Sequence, residues 1–112
     1  MNDEAKKNLV DIVQAAQEIE TFVRGMDFKT YQASLLTQRA VERNFEIIGE
    51  ALGRVRNLDK EALEQISEHQ RIIGFRNILI HGYDVVDEQI VWTAVQKHLP
   101  TLTKEVERML ED

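Results

Sequence analysis

Apolar residues recur every three or four positions along most of the chain, which is the spacing of one face of an α-helix. The pattern predicts a first helix whose apolar face runs from Leu9 to Val23. A break follows at 24–27, where Asp27 is placed to cap the next helix. The second helix is predicted to run from about Lys29 to about Arg56, and its wide apolar face predicts contact with more than one neighbouring helix. No stretch alternates between apolar and polar residues as a strand does.

The second half of the chain continues the helical pattern. A turn is predicted at 57–59, followed by a short helix and then a segment over about 70–81. A last helix should begin near Asp87, and Pro100 should kink or divide it because proline lacks a backbone donor. The sequence therefore predicts an all-α antiparallel bundle of four to five helices, in one domain spanning residues 1–112.

Composition fits a folded protein and excludes several functions. The 112 residues are 43% hydrophobic and 30% charged, which is typical of globular domains. Because the sequence has no cysteine, disulfides and thiolate metal sites are excluded. The apolar runs are too short to span a membrane. The first residues, MNDEAKKNLV, lack the apolar stretch of a signal peptide, so a cytoplasmic location is expected.

The formal net charge of −6 disfavours a general nucleic-acid binder, which normally carries a basic face. Activity on RNA would therefore have to depend on a few basic residues at a local site, or on such sites combined in an oligomer. The acidic surface also leaves room for a basic protein partner.

The segment FRNILIHGY, residues 75–83, places four polar groups among strongly apolar neighbours. On a helix, Asn77 and His81 are four residues apart and share one face, and Gly82 is expected to end the helix. The opposite, core-facing side is predicted to consist of Ile72, Phe75 and Leu79.

Two side chains of this segment suggest chemistry. An imidazole such as that of His81 titrates near neutrality and can move protons. A guanidinium such as that of Arg76 can hold a phosphate through two donors. Together they suffice for metal-free RNA cleavage, in which the 2′-hydroxyl attacks the adjacent phosphorus. The residues alone leave a second interpretation open, in which Asn77 links helices and Tyr83 is a half-buried packing residue.

The run RNILIH with a tyrosine two positions further on resembles the RxxxxHxY motif of the HEPN ribonucleases. The chain is most similar to the HepT branch, toxins paired with a small nucleotidyltransferase antitoxin. AVERNFEIIGEAL (40–52) resembles the second long helix of that branch, and VWTAVQKHLPTL (91–102) resembles its final helix. The resemblance covers about residues 5–110. The stretch SEHQRIIGF departs from many relatives, which have a Pro and a Trp there.

The resemblance implies a metal-independent endoribonuclease toxin of a type VII-like toxin–antitoxin system, acting as a homodimer on mRNA or tRNA. Arg76 and His81 match the catalytic pair, and Asn77 matches a polar residue that helps to set the site. Tyr83 matches the tyrosine to which the partner nucleotidyltransferase adds AMP. The resemblance implies no cofactor of the chain's own, and ATP would be the AMP donor used by the antitoxin.

Three glutamates spaced by four, Glu42, Glu46 and Glu50, form an acidic stripe on the second helix. The stripe could support the site, with Glu46 and Glu50 in the part that resembles the family. The favoured interpretation is ordinary pairing on the helix surface. The expected partners are Arg39, Arg43 and Arg54.

Four other residues invite an interpretation. Gly49, inside a predicted helix, indicates close approach of another helix, because glycine disfavours helix interiors. His69 and His98 lack a partner at i+4, so no metal site is predicted. Trp92 is expected in the core or in the dimer interface.

A non-catalytic helical module that docks a nucleotidyltransferase or a nucleotide is the alternative function, and an inactive structural dimer is a third. In the docking module Tyr83 would be only the modification acceptor or a contact residue.

Overall fold

The computed structural model describes residues 1–81 and 86–111, and these residues form helices joined by turns and short connections. The predicted all-α class is therefore confirmed for the described residues. The helices are α1 (Asp3–Phe22), α2 (Phe28–Gln32), α3 (Leu35–Leu58), α4 (Lys60–Glu64), α5 (His69–His81), α6 (Glu88–Thr93), a π-helical turn (Ala94–His98) and α7 (Leu99–Leu110).

The predicted count of four to five helices is not confirmed. The described ranges contain four long helical spans, of which the last joins α6, the π-helical turn and α7. They also contain two helices of five residues each, α2 and α4. None of the helices in these ranges is long and apolar enough to cross a membrane.

The predicted long helix from about Lys29 to Arg56 is wrong at its start, because the chain breaks between α2 and α3. Ser34 has extended backbone angles, and its side chain accepts a hydrogen bond from the backbone N–H of Thr37. The amide of Gln38 donates to the carbonyl oxygens of Tyr31 and Gln32, at 3.2 and 2.7 Å. These side chains satisfy backbone groups that a continuous helix would have paired internally.

Aspartates begin three of the helices where the sequence predicted a start. The carboxylate of Asp27 accepts from the N–H of Thr30 at 2.8 Å, which confirms it as the cap of α2. Asp59, in the predicted turn, caps α4 in the same way, and Asp87 caps α6. Each cap satisfies an N–H group that has no partner inside its own helix.

Helix α3 lies at the centre of the fold, packed against α1 on one side and α5 on the other. The prediction that its wide apolar face contacts more than one helix is confirmed. Phe45 on α3 meets Phe75 on α5 edge to face, with ring centroids 5.1 Å apart. Helix α7 closes the core against α1. Fully buried core residues include Leu9, Ile12, Ile19, Ile48, Leu52, Ile66, Leu99 and Leu102.

Pro100 divides the last helical span, as the sequence predicted. The π-helical turn ends at His98, two residues before Pro100, and the N–H of Leu99 donates to the carbonyl of Ala94, five residues earlier. Pro100 then occupies the first turn of α7, where a missing N–H is tolerated.

A junction between α2 and α6 contains an aromatic cluster and a long-range hydrogen bond. Trp92 is half-buried and packs on the rings of Tyr31 and Phe28, with centroids 5.1 and 6.4 Å away. The hydroxyl of buried Tyr31 donates to Glu88 at 2.6 Å. Trp92, predicted in the core or the dimer interface, thus lies at the edge of the core. The junction fixes the start of α6, which follows the motif-bearing segment.

The buried carboxyl of Glu42 lies beside this junction. Burial, together with a hydrogen bond to Glu88 and the charge of Glu88, raises its pKa from 4.5 to about 7, whereas Arg39, 3.2 Å away, opposes the shift. The folded protein therefore retains this proton to higher pH than the unfolded chain does. The stabilisation is fully present below about pH 4.5 and is lost as the pH rises to about 7.

Glu42→Gln should remove this pH dependence. We expect the wild-type free energy of unfolding to decrease relative to that of the variant by about 2–3 kcal/mol between pH 4.5 and 7. Urea unfolding of both proteins at several pH values measures the difference. Glu46→Gln, a half-exposed position on the same helix, is the matched control and should follow the wild type. Parallel curves for wild type and Glu42→Gln would contradict the assignment.

Candidate active site

Helix α5 carries the segment that the sequence singles out, and it has two unlike faces. Ile72 and Phe75 are buried, and Leu79 packs partly buried against the core, as predicted. Asn77 and His81 are exposed, and His81 is the last residue of the helix. The predicted separation of an apolar face from a polar face is therefore confirmed.

Arg76 lies where α5 crosses α3, with 28% of its side chain exposed. Its Nη2 is 3.5 Å from Glu50 Oε1, and its Nη1 donates to Asn77 Oδ1 at 3.1 Å. Its Nε is buried and finds no acceptor within residues 1–81 and 86–111. A guanidinium carries five N–H donors, so this arrangement orients Arg76 and leaves donors free for an oxyanion.

Gly49 on α3 lies directly against the side chain of Arg76. A Cβ placed on Gly49 would overlap Cβ and Cγ of Arg76. The predicted reason for this glycine, close helix approach, is thus confirmed, and the helix that approaches is α5. The missing side chain lets the aliphatic part of Arg76 pack on the α3 backbone.

Gly49→Ala should push Arg76 and α5 away from α3. Overpacking of this kind costs about 1–3 kcal/mol, whereas replacing a helical glycine with alanine alone contributes up to about 1 kcal/mol of stability. We expect a net loss in the free energy of unfolding, measured by urea denaturation. Gly53→Ala is the matched control, because a Cβ there meets nothing within 4 Å. A variant of Gly49 as stable as that of Gly53 would contradict the packing argument.

Arg76 and His81 do not point in the same direction within one chain. Five residues on a helix correspond to a rotation of about 140° and a rise of about 7.5 Å. Arg76 faces α3, whereas His81 shares the exposed face of Asn77. The structure thus brings Arg76, Asn77 and Glu50 together and places His81 at the open end of the same helix.

The acidic stripe pairs with arginines of its own helix, as the favoured interpretation predicted. The N–O distances are 3.2 Å for Arg39–Glu42, 3.9 Å for Arg43–Glu46 and 3.8 Å for Arg54–Glu50. Glu50 also contacts Arg76 and so reaches the candidate site. Its supporting role, and that of Glu46, stays a prediction.

His98 has a partner that the sequence spacing did not reveal. Its Nδ1 lies 2.7 Å from Glu68 Oε2, thirty residues earlier in the chain, and Arg71 lies 3.5 Å from the same oxygen. This contact joins the start of α5 to the π-helical turn. Across the two described ranges, no three acidic, histidine or cysteine side chains cluster in a way that could hold a metal ion.

Tyr83, the predicted acceptor of AMP, lies outside the described residues, as does Gly82, the predicted helix end. The role of Tyr83 therefore stays a prediction from the sequence.

Clefts lie on more than one side of α5, and two of them differ in character. One of about 440 Å³ lies beside Arg76, between α3 and α5, and its lining includes Arg54, Arg56 and Asn57. The spacing of residues in the sequence does not reveal this cationic lining, because the residues come from two helices. The other, of about 480 Å³, lies between α5 and α6 and is mostly apolar, with Ile78 and Ile90 at its surface.

The helical bundle is compatible with the HEPN class, and the comparison with known families shows that class. The sequence pattern of the family described as "Ribonuclease HepT-like" matches residues 12–109. This chain therefore belongs to the HepT-like ribonuclease family.

Several curated proteins are similar over nearly their whole length. A protein of Methanocaldococcus jannaschii named as a candidate RNase is 33% identical, over 93% of this chain and 94% of its own. One of Caldanaerobacter subterraneus, also named as a candidate RNase, is 36% identical over 92% of this chain and 91% of its own. The "Probable ribonuclease HepT" of Thermococcus cleftensis is 35% identical over 93% and 94%. No solved structure is significantly similar to the chain.

Proposed function

We propose that this protein is a metal-independent endoribonuclease toxin that acts as a homodimer. The observation that carries the proposal is the placement of Arg76, held by Glu50 and Asn77 at an open cleft, on a helix that ends at exposed His81. Membership of the HepT-like ribonuclease family and the names of the relatives support it.

The groups present can perform an internal phosphoryl transfer. His81 would take the proton of a ribose 2′-hydroxyl, whose oxygen then attacks the adjacent phosphorus. The O2′–P bond forms, the P–O5′ bond breaks, and the departing O5′ receives a proton from an imidazolium. Arg76 would stabilise the negative charge that grows on the phosphoryl oxygens, with Asn77 orienting its guanidinium. The products are a 2′,3′-cyclic phosphate and a 5′-hydroxyl.

A second copy of the chain would complete the site. Arg76 and His81 of one chain diverge by about 140° around α5, so convergence on one phosphate is easier with groups from two chains. The exposed fractions of Ile78 and Ile90 are 60% and 56%, an apolar surface beside the motif that favours burial against another molecule. Two Arg76 side chains in one shared site would also offset, at that site, the net negative charge of the chain.

Regulation by a nucleotidyltransferase antitoxin is part of the proposal and rests on the match of Tyr83 to the family motif. Transfer of AMP from ATP to the Tyr83 hydroxyl would release pyrophosphate and add a negatively charged phosphodiester. Because Tyr83 is only two residues from His81 in the sequence, the negative charge of the added AMP would oppose the entry of an RNA phosphate.

Incubating the purified protein with RNA in excess EDTA tests the enzymatic part of the proposal. We expect cleavage to persist and the fragments to carry 2′,3′-cyclic phosphate ends, because the mechanism needs no metal ion. Cleavage that requires added Mg²⁺ or Mn²⁺, or products with 3′-hydroxyl ends, would contradict it.

Expression in cells tests the toxin part. The chain alone should arrest growth, and co-expression of a cognate nucleotidyltransferase should relieve the arrest. Harmless expression together with tight binding of that partner would instead favour the non-catalytic docking module.

A further inference from the structure

A second cleft adjoins the one beside Arg76, and the two form a continuous depression along α3 and α5. This adjoining cleft is not the apolar one between α5 and α6. It has a volume of about 470 Å³, and it shares Arg56, Ile73 and Asn77 with the cleft beside Arg76. We call this depression the α3–α5 groove. It runs from Gly49 and Arg76 at one end to Lys60 and His69 at the other.

The α3–α5 groove reverses the charge balance of the chain. Four lysines and arginines line it against two glutamates, whereas the whole sequence has 14 basic and 20 acidic residues. The groove glutamates are Glu50 and Glu64, and Glu50 is engaged by Arg54 and Arg76. Arg56 and Lys60 are exposed and form no salt bridge within the part of the chain that the structure describes. They remain available to a ligand with negative charges.

Two glycines of the groove have no packing explanation. Gly53 on α3 and Gly74 on α5 lie inside helices, yet a Cβ on either would meet nothing within 4 Å. Glycine is the least favourable helix residue apart from proline. A glycine with no other group packed against it therefore weakens its helix without improving the core. Gly49 differs, because Arg76 occupies its space. Without side chains at Gly53 and Gly74 the groove stays open there, and a ligand could approach the helix backbone closely.

We propose that the α3–α5 groove binds the sugar–phosphate backbone of the RNA substrate next to the bond that is cleaved at Arg76. This rests on the proposed function for the identity of the ligand. Arg56 and Lys60 would contact successive phosphates, Asn57 and Asn77 would donate hydrogen bonds, and Gly53 would let the strand lie against α3. Arg76 is seven residues from His69, so the groove extends about 10 Å along α5. That length holds about three phosphates at the axial spacing of a stacked strand.

The test measures binding separately from cleavage. A short fluorescein-labelled oligouridine is titrated with the full chain carrying His81→Ala, and its anisotropy is followed at several salt concentrations. Adding Arg56→Gln and Lys60→Gln should weaken binding about tenfold. The slope of the logarithm of the association constant against the logarithm of the salt concentration should decrease in magnitude by about 1.4. Arg24→Gln with Lys104→Gln removes the same charge from exposed positions outside the groove. This control should change the affinity less than twofold.

Gly53→Gln provides a readout that a loss of folding could not imitate. Glutamine favours a helix over glycine, so this variant should unfold at a higher urea concentration than the parent. Its side chain would nevertheless fill the groove and weaken oligouridine binding at least fivefold. Weaker binding by a more stable protein supports the groove, whereas unchanged binding overturns it.

The outcomes separate this proposal from the enzymatic one. If the wild type cleaves RNA in EDTA and the Arg56/Lys60 variant binds and cleaves RNA equally well, the groove proposal is wrong and the nuclease proposal is supported. If the wild type does not cleave RNA but binds oligouridine through Arg56 and Lys60, the groove proposal is supported and the nuclease proposal is wrong. Displacement of oligouridine by polyglutamate at equal charge concentration would overturn RNA as the occupant.

Discussion

His81→Ala should reduce the rate of RNA cleavage by about 10²–10⁴-fold, which is the usual contribution of general acid–base catalysis. The imidazole is the group at the open end of α5 that can both accept the 2′-hydroxyl proton and return one to the leaving oxygen. Because His81 is exposed, the free energy of unfolding should change by no more than about 0.5 kcal/mol. Single-turnover cleavage of labelled RNA and urea denaturation measure the two quantities.

His98→Gln is the control for His81→Ala. This half-buried histidine contacts Glu68, and it lines neither of the clefts that form the α3–α5 groove. The variant should lower stability and leave the cleavage rate of the folded protein within about twofold of wild type. Cleavage by His81→Ala at the wild-type rate would remove this side chain from the mechanism.

Arg76→Lys should reduce cleavage by about 10²–10³-fold although the positive charge is kept. A lysine ammonium is a compact charge without the planar fork, so it cannot contact Glu50, Asn77 and two phosphoryl oxygens in one fixed geometry. The loss should appear mainly in kcat, because the interaction strengthens as charge develops in the transition state. Steady-state kinetics on a labelled RNA substrate separate kcat from KM.

Arg43→Lys is the matched control for Arg76→Lys. Arg43 also pairs with a glutamate of α3, but that glutamate is Glu46, which is not among the residues lining the α3–α5 groove. Its replacement should leave kcat and KM within about twofold of wild type. An Arg76→Lys protein with the wild-type kcat would show that the guanidinium geometry is not needed.

The sequence predicted the helical class well because local signals carry that information. Helical periodicity and capping aspartates act over three or four residues, and Asp27, the turn at Asp59 and the start near Asp87 were all placed correctly. The break at Ser34 was missed because the apolar spacing runs through it. The amide of Gln38 stabilises this break by donating to carbonyl oxygens at the end of α2 from the next helix.

The candidate site was predictable only as far as it lies on one helix. Arg76, Asn77 and His81 could be named because their spacing is local, and Gly49 indicated that a helix must approach. Which side chain meets Gly49 depends on how α5 lies across α3, and no periodicity encodes that. The same holds for pairs far apart in the chain. Examples are Tyr31 with Glu88, Glu68 with His98, and the cations that line the α3–α5 groove.

The contact of Gly49 with Arg76 has a practical consequence for anyone who needs an inert form of this protein. The methylene stem of Arg76 fills the space beside Gly49 on α3, so truncation to alanine would remove a chemical group and a packing element together. Methionine supplies a stem of similar length without the charge. An Arg76→Met chain should therefore keep its shape and its α3–α5 groove but lack the guanidinium that stabilises the transition state, and so suit crystallisation with uncut RNA.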